Sequence, residues 1–355
     1  MKMFYPLHKL LRHCSLFNNI PTKKEEKWHF SPLPEYLDRE YKKSSCEHED
    51  IPNKPKEDYW IYLKDGCVLE LELPPSVHVK YLPFHLELNC FEDIEIYLHL
   101  DYSEQTFVDF RLNIILQEHV NLKTYYCHEG GKGSFIVNVS HIKLEPYATL
   151  LQTQTQNLSS DAVFILDNKI HLDTFSSVNN FSLLNEGEYI HNFIHADLHY
   201  QSKIDITSLL LSHNRQKSLF SCDINHLSDK STSEVLSKQV VRDTSTCVFD
   251  ATTKIFKETK ATQAKQASHA LLLDEGAHIH SKPHLEIYSD DLSASHGSTI
   301  GELDQEAISY LRSRGVNEQR SKEILINAFI NDILEKIEEP RHKELIINRL
   351  GGGDE

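Results

Sequence analysis

Histidine is the residue type in this 355-residue chain that most directly suggests chemistry. The chain contains 22 histidines, and His191, His195 and His199 recur at intervals of four residues, which raises the question of a metal site. On a β-strand this spacing keeps the three rings on one face but separates neighbours by about 13 Å, too far to share one ion unless the chain bends. We therefore predict surface or hydrogen-bonded histidines rather than a ligand set.

Two further groups near the C-terminus have residue types that are common in active sites. Asp290-Asp291 could form a carboxylate pair for acid–base work, but adjacent residues point in opposite directions on a strand, so a turn is the better prediction. His296 lies between Ser295 and Gly297. On spacing alone, this pattern predicts a turn residue rather than a ligand.

One strand and two helices must position these residues. The β-favouring run 285–288 follows Pro283 and is closed by turn residues, which predicts a strand. Asp304 is a good N-cap and Gly315 a good C-terminal cap, so a helix is predicted between them. A second helix ends before Pro340, and its apolar stripe consists of Leu325, Ala328, Phe329, Ile333 and Ile337.

This ordered set of residues resembles the C-terminal signature of the SufB/SufD family, scaffold proteins of iron–sulfur cluster assembly, and more closely its SufD branch. The match comprises Lys282-Pro283, Leu285-Glu286-Ile287-Tyr288, Asp290-Asp291, Ser295-His296-Gly297, Gly301, Leu303-Asp304, Tyr310-Leu311-Arg312-Ser313-Arg314-Gly315 and Ala328-Phe329. Similar family runs are Gln263-Ala264-Lys265-Gln266, Leu271-Leu272-Leu273 and, near the N-terminus, Ile20-Pro21-Thr22-Lys23-Lys24-Glu25-Glu26-Lys27-Trp28. The matching motifs lie near both ends of the chain. The middle of the chain resembles the family in its general residue pattern rather than in specific motifs.

From about Tyr59 the hydrophobic pattern changes to a period of two, which predicts many short strands. Alternating sets include Leu69, Leu71 and Leu73; Ile94, Ile96, Leu98 and Leu100; Val108, Phe110, Leu112, Ile114 and Leu116; Phe135, Val137 and Val139; Ile170 and Leu172; and Ile204 and Ile206. Periodicity alone admits a sandwich, a barrel or a solenoid, and no sharp repeat is evident. With only 12 glycines, Asn, Asp and Ser are expected at most of the turns.

The resemblance implies a mainly β fold: a right-handed parallel β-helix (solenoid) core flanked by small N-terminal and C-terminal helical domains. We expect an N-terminal helical segment and connector over 1–58, the β-helix core over 59–302 and the C-terminal helical domain over 303–355. The spacing of the apolar residues predicts a short amphipathic helix that includes Leu7, Leu10, Leu11, Cys14 and Phe17. The polar composition of 35–58 predicts a solvated connector.

Composition excludes several classes of function. The net charge of −16 argues against nucleic acid or an anionic membrane as partner. The seven cysteines are odd in number and lack CxxC spacing, so we expect reduced thiols rather than a disulfide framework or a zinc site. The first residues lack an apolar run of signal-peptide length, and no window reaches the roughly 18 apolar residues of a membrane helix. We therefore expect a soluble, cytoplasmic protein.

The resemblance also implies a function. It implies a non-catalytic scaffold subunit that pairs with a SufB-type paralogue and docks a SufC-type ATPase, with a flavin allowed at the level of the complex. His296, with Ser295 and Gly297, would lie at the SufB interface, and His296 would be a transient iron ligand for the nascent cluster. Ala294 stands where the family usually has Cys, which puts a thiolate there in doubt. The expected ATPase-docking residues are Leu325, Ala328, Phe329 and Ile333.

Two alternatives stay open at this stage. A SufB-type paralogue is disfavoured because the chain has no match to the cysteine-bearing segments of that branch. A β-solenoid enzyme acting on polysaccharide is disfavoured because no export signal and no carboxylate-lined face can be placed. The ATPase itself is excluded, since the chain lacks the G-x-x-x-x-G-K-[ST] phosphate loop.

Overall fold

Two large β-sheets dominate the computed structural model, which describes residues 3–12, 14, 16, 28–46 and 56–351. The helices are α1 (Leu7–Leu11), α2 (Leu33–Tyr36), α3 (Gln305–Ser313), α4 (Glu318–Leu334) and α5 (Pro340–Gly351). The strands are β1 (Phe4–Pro6), β2 (Glu40–Lys43), β3 (Trp60–Lys64), β4 (Cys67–Glu72), β5 (Val77–Leu82), β6 (His85–Cys90), β7 (Ile94–Tyr102), β8 (Thr106–Leu116), β9 (Asn121–Gly130), β10 (Phe135–Leu144), β11 (Thr149–Leu158), β12 (Val163–Leu172), β13 (Ser177–Leu184), β14 (Tyr189–Leu198), β15 (Lys203–Ser212), β16 (Lys217–His226), β17 (Thr232–Val241), β18 (Thr246–Ile255), β19 (Thr262–Leu272), β20 (His278–Ile287) and β21 (Leu292–Gly301).

From β7 onward, successive strands alternate between the two sheets. Sheet A runs β1-β2-β8-β10-β12-β14-β16-β18-β20, with the β5–β6 hairpin attached to β8. Sheet B runs β21-β19-β17-β15-β13-β11-β9-β7-β3-β4. Every strand from β8 to β20 in sheet A and from β7 to β21 in sheet B pairs in parallel with its neighbour of the preceding or following coil. The mainly β, parallel solenoid fold is therefore confirmed.

The coils repeat at about 28 residues, a period that the sequence did not reveal. Phe107, Phe135 and Val163 stand in register on β8, β10 and β12 at this interval. The interval then varies, because Val163 pairs with Tyr189 after 26 residues whereas β18 pairs with β20 after 32. Turns of unequal length blur the repeat, and the inward positions tolerate many different apolar residues.

Inward-facing side chains of both sheets form one continuous hydrophobic core. Ile136, Phe164 and Ile190 occupy one column of sheet A, and Phe220 and Phe249 lie in register with each other in the neighbouring inward column. All are buried. Burial of each such side chain stabilises the fold by roughly 1.5–3 kcal/mol, so the stack of coils, rather than any single strand, holds the chain together.

Aromatic residues occupy corner turns where small polar residues were expected. The structure confirms that expectation at Asp65, Asn214 and Asp243, all with positive φ, but His119, Tyr147 and Phe175 adopt φ of 63°, 62° and 59° as well. The His119 and Tyr147 rings stack with centroids 4.8 Å apart, as do those of Tyr147 and Phe175. Ring stacking between coils offsets a left-handed conformation that costs roughly 1–2 kcal/mol per residue.

The N-terminal segment covers the outer face of sheet A. β1 and β2 form an antiparallel pair, and β2 adds to β8. Leu7, Leu11 and Leu33 are fully buried and share a cluster with Phe135 and Tyr189 of the solenoid. This segment is therefore packed on the core, and residues 40–43 of the expected connector form a strand.

The predicted N-terminal helix is shorter than its apolar pattern, since α1 ends at Leu11. Phe17, the family motif at 20–27 and the connector residues 47–55 lie outside the described residues. The expectation that all thiols are reduced is wrong for one pair, because Cys46 and Cys67 form a disulfide across 21 residues. A contact of such sequence separation has no local signature.

In the described ranges, each helix is too short or too polar to cross a lipid bilayer.

The aromatic corner generates a testable prediction. Phe175→Ala should lower the free energy of unfolding by about 1–2 kcal/mol, because it removes ring contacts with Tyr147 and Tyr200 while Ala keeps the unfavourable positive φ. Urea unfolding followed by circular dichroism measures the effect. Tyr81→Ala, at a more exposed position on β5, is the control and should change little; equal shifts for the two variants would show that stacking contributes nothing.

Candidate functional site

The solenoid ends in an uncovered coil formed by β20 and β21. Each is the last strand of its sheet in the described part of the chain, so backbone groups along its far side are not used by the sheets. Ile287, Tyr288 and Ile300 are exposed there, Tyr288 at 56%. Asp290-Asp291 lie in the bend between the two strands, which confirms the predicted turn. This end therefore combines free strand edges with apolar surface.

His296 lies within β21 rather than in a turn. It stands in register with Gln266 of β19, whose side chain is buried inside the solenoid. His296 thus continues an inward-facing column, and its ring is exposed because this coil is the last. The prediction of a turn at 295–297 is wrong, since pairing with β19 overrides the turn preference of Ser and Gly.

Ser295 and Gly297 do not share the position of His296. Side chains alternate along a strand, so these two neighbours point to the outer face. A Cβ built on Gly297 meets no atom within 4 Å, so this chain alone does not require glycine there. Ala294 faces the same way as His296, two residues earlier.

The histidine triplet is distributed among separate contacts. His191 is fully buried, with its ring nitrogens 2.9 Å from the Tyr189 hydroxyl and 3.1 Å from the Ser221 hydroxyl. The His195 ring lies 3.3 Å from a carboxylate oxygen of Asp167. The prediction of hydrogen-bonded histidines is confirmed for His191. Within the described residues, no three His, Cys, Asp or Glu side chains are placed to hold one metal ion.

The free cysteines of the described residues are buried and far from thiolate form. Loss of solvation raises the pKa of Cys90, Cys127 and Cys247 to about 12, and it also raises the pKa of Cys14 and Cys222. The thiolate is the species that binds metals. These thiols are therefore structural, and they supply no thiolate ligand to the open end of the solenoid.

The C-terminal helices follow β21 directly. The Asp304 side chain accepts hydrogen bonds from the backbone N–H groups of Glu306 and Ala307, and Gly315 has φ of 88° beyond the helix end. These observations confirm both predicted ends of α3. α5 was not predicted, because Pro340 suggested an end, whereas proline also suits the first turn of a helix.

α4 packs on the outer face of sheet B through a stripe that coincides only in part with the predicted one, since Ile333 and Ile337 are shared. The buried residues of this region are Ile326, Ile330, Ile333, Leu334 and Ile337, which cluster with Phe181, Leu183, Leu209 and Val240. Ile333 is 0% exposed and serves the packing of the helix. Leu325 and Phe329 are half-buried, and Ala328 is exposed.

Lys238 of β17 holds α4 on the sheet. Its Nζ donates hydrogen bonds to the Phe329 carbonyl oxygen at 2.8 Å and to Asp332 Oδ2 at 2.5 Å, and it lies 4.4 Å from the centroid of the Phe329 ring. The hydrogen bond from Lys238 lowers the pKa of Asp332. Sequence reasoning missed Lys238, because its partners lie 91 and 94 residues away.

Comparison with known proteins gives consistent results. A family model described as "SUF system FeS cluster assembly, SufBD core domain" matches residues 100–329. The chain is similar to the iron-sulfur cluster assembly protein SufD of Escherichia coli (strain K12), with 35% identity over 119 residues that cover 34% of this chain and 28% of that protein. A SufBD family protein of Synechocystis sp. is 36% identical over 102 residues, 29% of this chain and 22% of the relative. SufD of Bacillus subtilis is 22% identical over 307 residues, 82% of this chain and 68% of the relative.

The Lys238 contact generates a second prediction. Lys238→Met should weaken the docking of α4 by about 1–2 kcal/mol, because the Phe329 carbonyl loses its donor whereas Asp332 stays in solvent. Hydrogen–deuterium exchange of the α4 amides should then rise roughly 5- to 30-fold. Lys254→Met, which removes a surface ion pair with Glu286, is the matched control. Unchanged α4 exchange in the Lys238 variant would contradict the role.

Proposed function

We propose, from the premise that this chain belongs to the SufB/SufD family of the SUF system and to its SufD type, that it is a non-catalytic scaffold subunit of iron–sulfur cluster assembly. The observation that carries the proposal is the open last coil, which presents His296 between two strand edges. Such an end is suited to hold a partner and a shared cargo rather than to enclose a substrate.

The partner that we propose for this end is a SufB-type paralogue. A free strand edge binds another strand through main-chain hydrogen bonds, and pockets for alternate side chains add specificity. Here the two edges lie side by side, and Ile287, Tyr288 and Ile300 supply apolar surface beside them. A second solenoid with a similar end would cover both edges at once.

At this interface, His296 would bind iron of the nascent cluster as cargo. A neutral imidazole nitrogen is a good ligand for iron, and the His296 ring is exposed at the rim. Ala294 supplies no thiolate on the same face, so the remaining ligands would come from the partner. Mixed ligation of this kind suits a cluster that must later leave.

A SufC-type ATPase would dock on the outer side of α4. Ala328 and Ile324 are exposed one turn apart on this helix, and Leu325 and Phe329 lie half-buried beside them. Ile333 is left out of the proposed surface, because its side chain is fully buried in the chain's own packing. The proposed docking surface is therefore the face of α4 around Ile324 and Ala328, and Gln319 lies on the opposite side of the helix.

The larger of the two grooves beside α4 is unfavourable for the diphosphate of a flavin. This groove has a volume of about 700 Å³. Its four carboxylates, Asp274, Glu275, Glu302 and Glu323, outnumber its two cations, Arg242 and Lys322, so its net charge is negative. We derive no step through a flavin in this subunit.

We place this assembly in the cytoplasm. A reducing compartment suits the buried free cysteines, which have no disulfide partner in the described chain.

His296→Ala tests the cargo role. We expect the heterodimer to form nearly as before, since one rim residue rarely dominates an interface, and iron–sulfur enzymes to mature several-fold more slowly in cells that depend on this pathway. Ser295→Ala is the matched control, because its side chain points to the opposite face. Normal maturation in His296→Ala cells, with normal accumulation of the complex, would refute the ligand role.

Ala328→Arg tests the ATPase surface. The substitution places a long charged side chain on the exposed face of α4 without entering the buried stripe, so the fold should persist by circular dichroism. Pull-down of the ATPase should fall at least tenfold if this face is central to the contact. Gln319→Arg, in the first turn of the same helix, is the control. Equal ATPase recovery with Ala328→Arg and wild type would place the docking surface elsewhere.

A further inference from the structure

Directly beneath His296 lies a buried amide with an unused oxygen. Gln266 is 1% exposed, and its Nε2 donates hydrogen bonds to Thr253 Oγ1 at 2.7 Å and to the His284 carbonyl oxygen at 3.3 Å. Its Oε1 is buried and accepts no hydrogen bond in the described part of the chain. A buried carbonyl without a donor costs about 1–3 kcal/mol, so this oxygen needs an explanation.

The orientation of the amide is set by its nitrogen. The oxygen and nitrogen of the Gln266 amide cannot exchange places, because the flipped oxygen would face the His284 carbonyl, which is itself an acceptor. The Thr253 hydroxyl on the opposite sheet accepts the other amide hydrogen bond, but a hydroxyl can also donate, so the His284 carbonyl is the group that sets the orientation. The free oxygen therefore points away from both of these groups.

Few side chains next to Gln266 on its own sheet could donate a hydrogen bond to its Oε1. Val235 lies in register in the preceding coil and has no polar side-chain atom. On β19 itself, Ala264 has none either, and Ser268 donates its hydroxyl to a different amide at 3.3 Å. The next coil places His296 in register above Gln266.

The side chains at the diagonal positions of that next coil also have no free donor for the Gln266 oxygen. Ala294 has no donor, and the Ser298 hydroxyl donates to Ser281 Oγ at 2.9 Å. Among the side chains that adjoin Gln266 along its column or diagonally on β21, His296 is thus the one with a ring N–H still available.

We propose that Gln266 is a positioning residue whose Oε1 accepts a hydrogen bond from a ring N–H of His296 once the exposed His296 ring turns toward it, because the two groups are not hydrogen-bonded in the conformation of the structure. In-register residues on neighbouring parallel strands lie about 4.8 Å apart, within reach of an amide and an imidazole ring. The hydrogen bond holds the proton on the nitrogen that faces the core. The other nitrogen then carries a free lone pair at the rim, which is the form of imidazole that binds a metal.

The tautomer of His296 gives a direct test on the isolated subunit. In protein labelled with ¹⁵N-histidine, a long-range ¹H–¹⁵N correlation spectrum above pH 8 distinguishes the two neutral tautomers, and His296→Ala identifies the signal. We expect one dominant tautomer in the wild type. In Gln266→Met, the ratio of the two tautomers should fall about fivefold, in line with the net value of one hydrogen bond.

Two further variants keep this test decisive. Gln152→Met is the matched control, because Gln152 lies in the same inward column and also has a buried unpaired Oε1, but four strands of the sheet separate its strand, β11, from β21. If Gln266→Met fails to fold, Thr253→Val replaces it: loss of the hydroxyl that holds the amide should shift the ratio in the same direction, by a smaller factor. An unchanged tautomer ratio in the folded variant, or an equal shift in Gln152→Met, overturns the inference.

The value of this hydrogen bond for iron binding rests on the proposed function, and the two can fail separately. Slow maturation in both His296→Ala and Gln266→Met cells, with the tautomer shift, supports both. A tautomer shift with normal maturation in both variants leaves Gln266 as a positioning residue and refutes the cargo role. Slow maturation in His296→Ala cells without any tautomer shift in Gln266→Met refutes the positioning role alone.

Discussion

In-register parallel stacking of successive coils is the constraint on which the rest of this structure depends. Because each strand pairs with the strand about 28 residues later, one position in a coil always meets the equivalent position in the next. Columns of apolar side chains then form the core, and rings at the corners stack outside it. A one-residue slip in any pair would reverse the two faces of a strand, so the columns and the register maintain each other.

Polar columns inside the solenoid strengthen this register. Ser140 donates to Asn168, Asn168 to Asn192 and Asn192 to Ser182, so that amides and hydroxyls of three coils form one chain of hydrogen bonds. Burial lowers the pKa of His128 to about 3, which keeps this interior histidine neutral. Such groups are costly to bury unless each finds its partner, and a shifted register would leave several unpaired. The hydrogen bond that we propose between Gln266 and His296 would extend this pattern to the last coil.

The two ends of the solenoid differ in whether their strand edges are covered. At the first end, β4 folds back antiparallel on β3, and the β5–β6 hairpin is attached to sheet A, so short antiparallel pieces close both sheets. At the last end, β20 and β21 have neighbours on one side only within the described chain. An uncovered edge invites pairing with another strand, and natural proteins usually block it. The asymmetry leaves one end closed by the chain itself and one end open, and the open end is where we propose that the partner binds.

What the sequence determined by itself was local. Alternation of apolar residues predicted the strands, and the Asp304 cap and Gly315 predicted the ends of α3, because these signals depend on residues only a few positions apart. The family signature around His296 predicted the solenoid, and it suggested the hypothesis that the last coil is the functional end. Tertiary structure decided the rest. Pairing with β19 places His296 in a strand where the local pattern predicted a turn, and Ile333 is buried against sheet B. Lys238 binds α4 although the two are some 90 residues apart in the sequence. Contacts between distant segments depend on the register of whole coils, and no local pattern of residue types encodes that register.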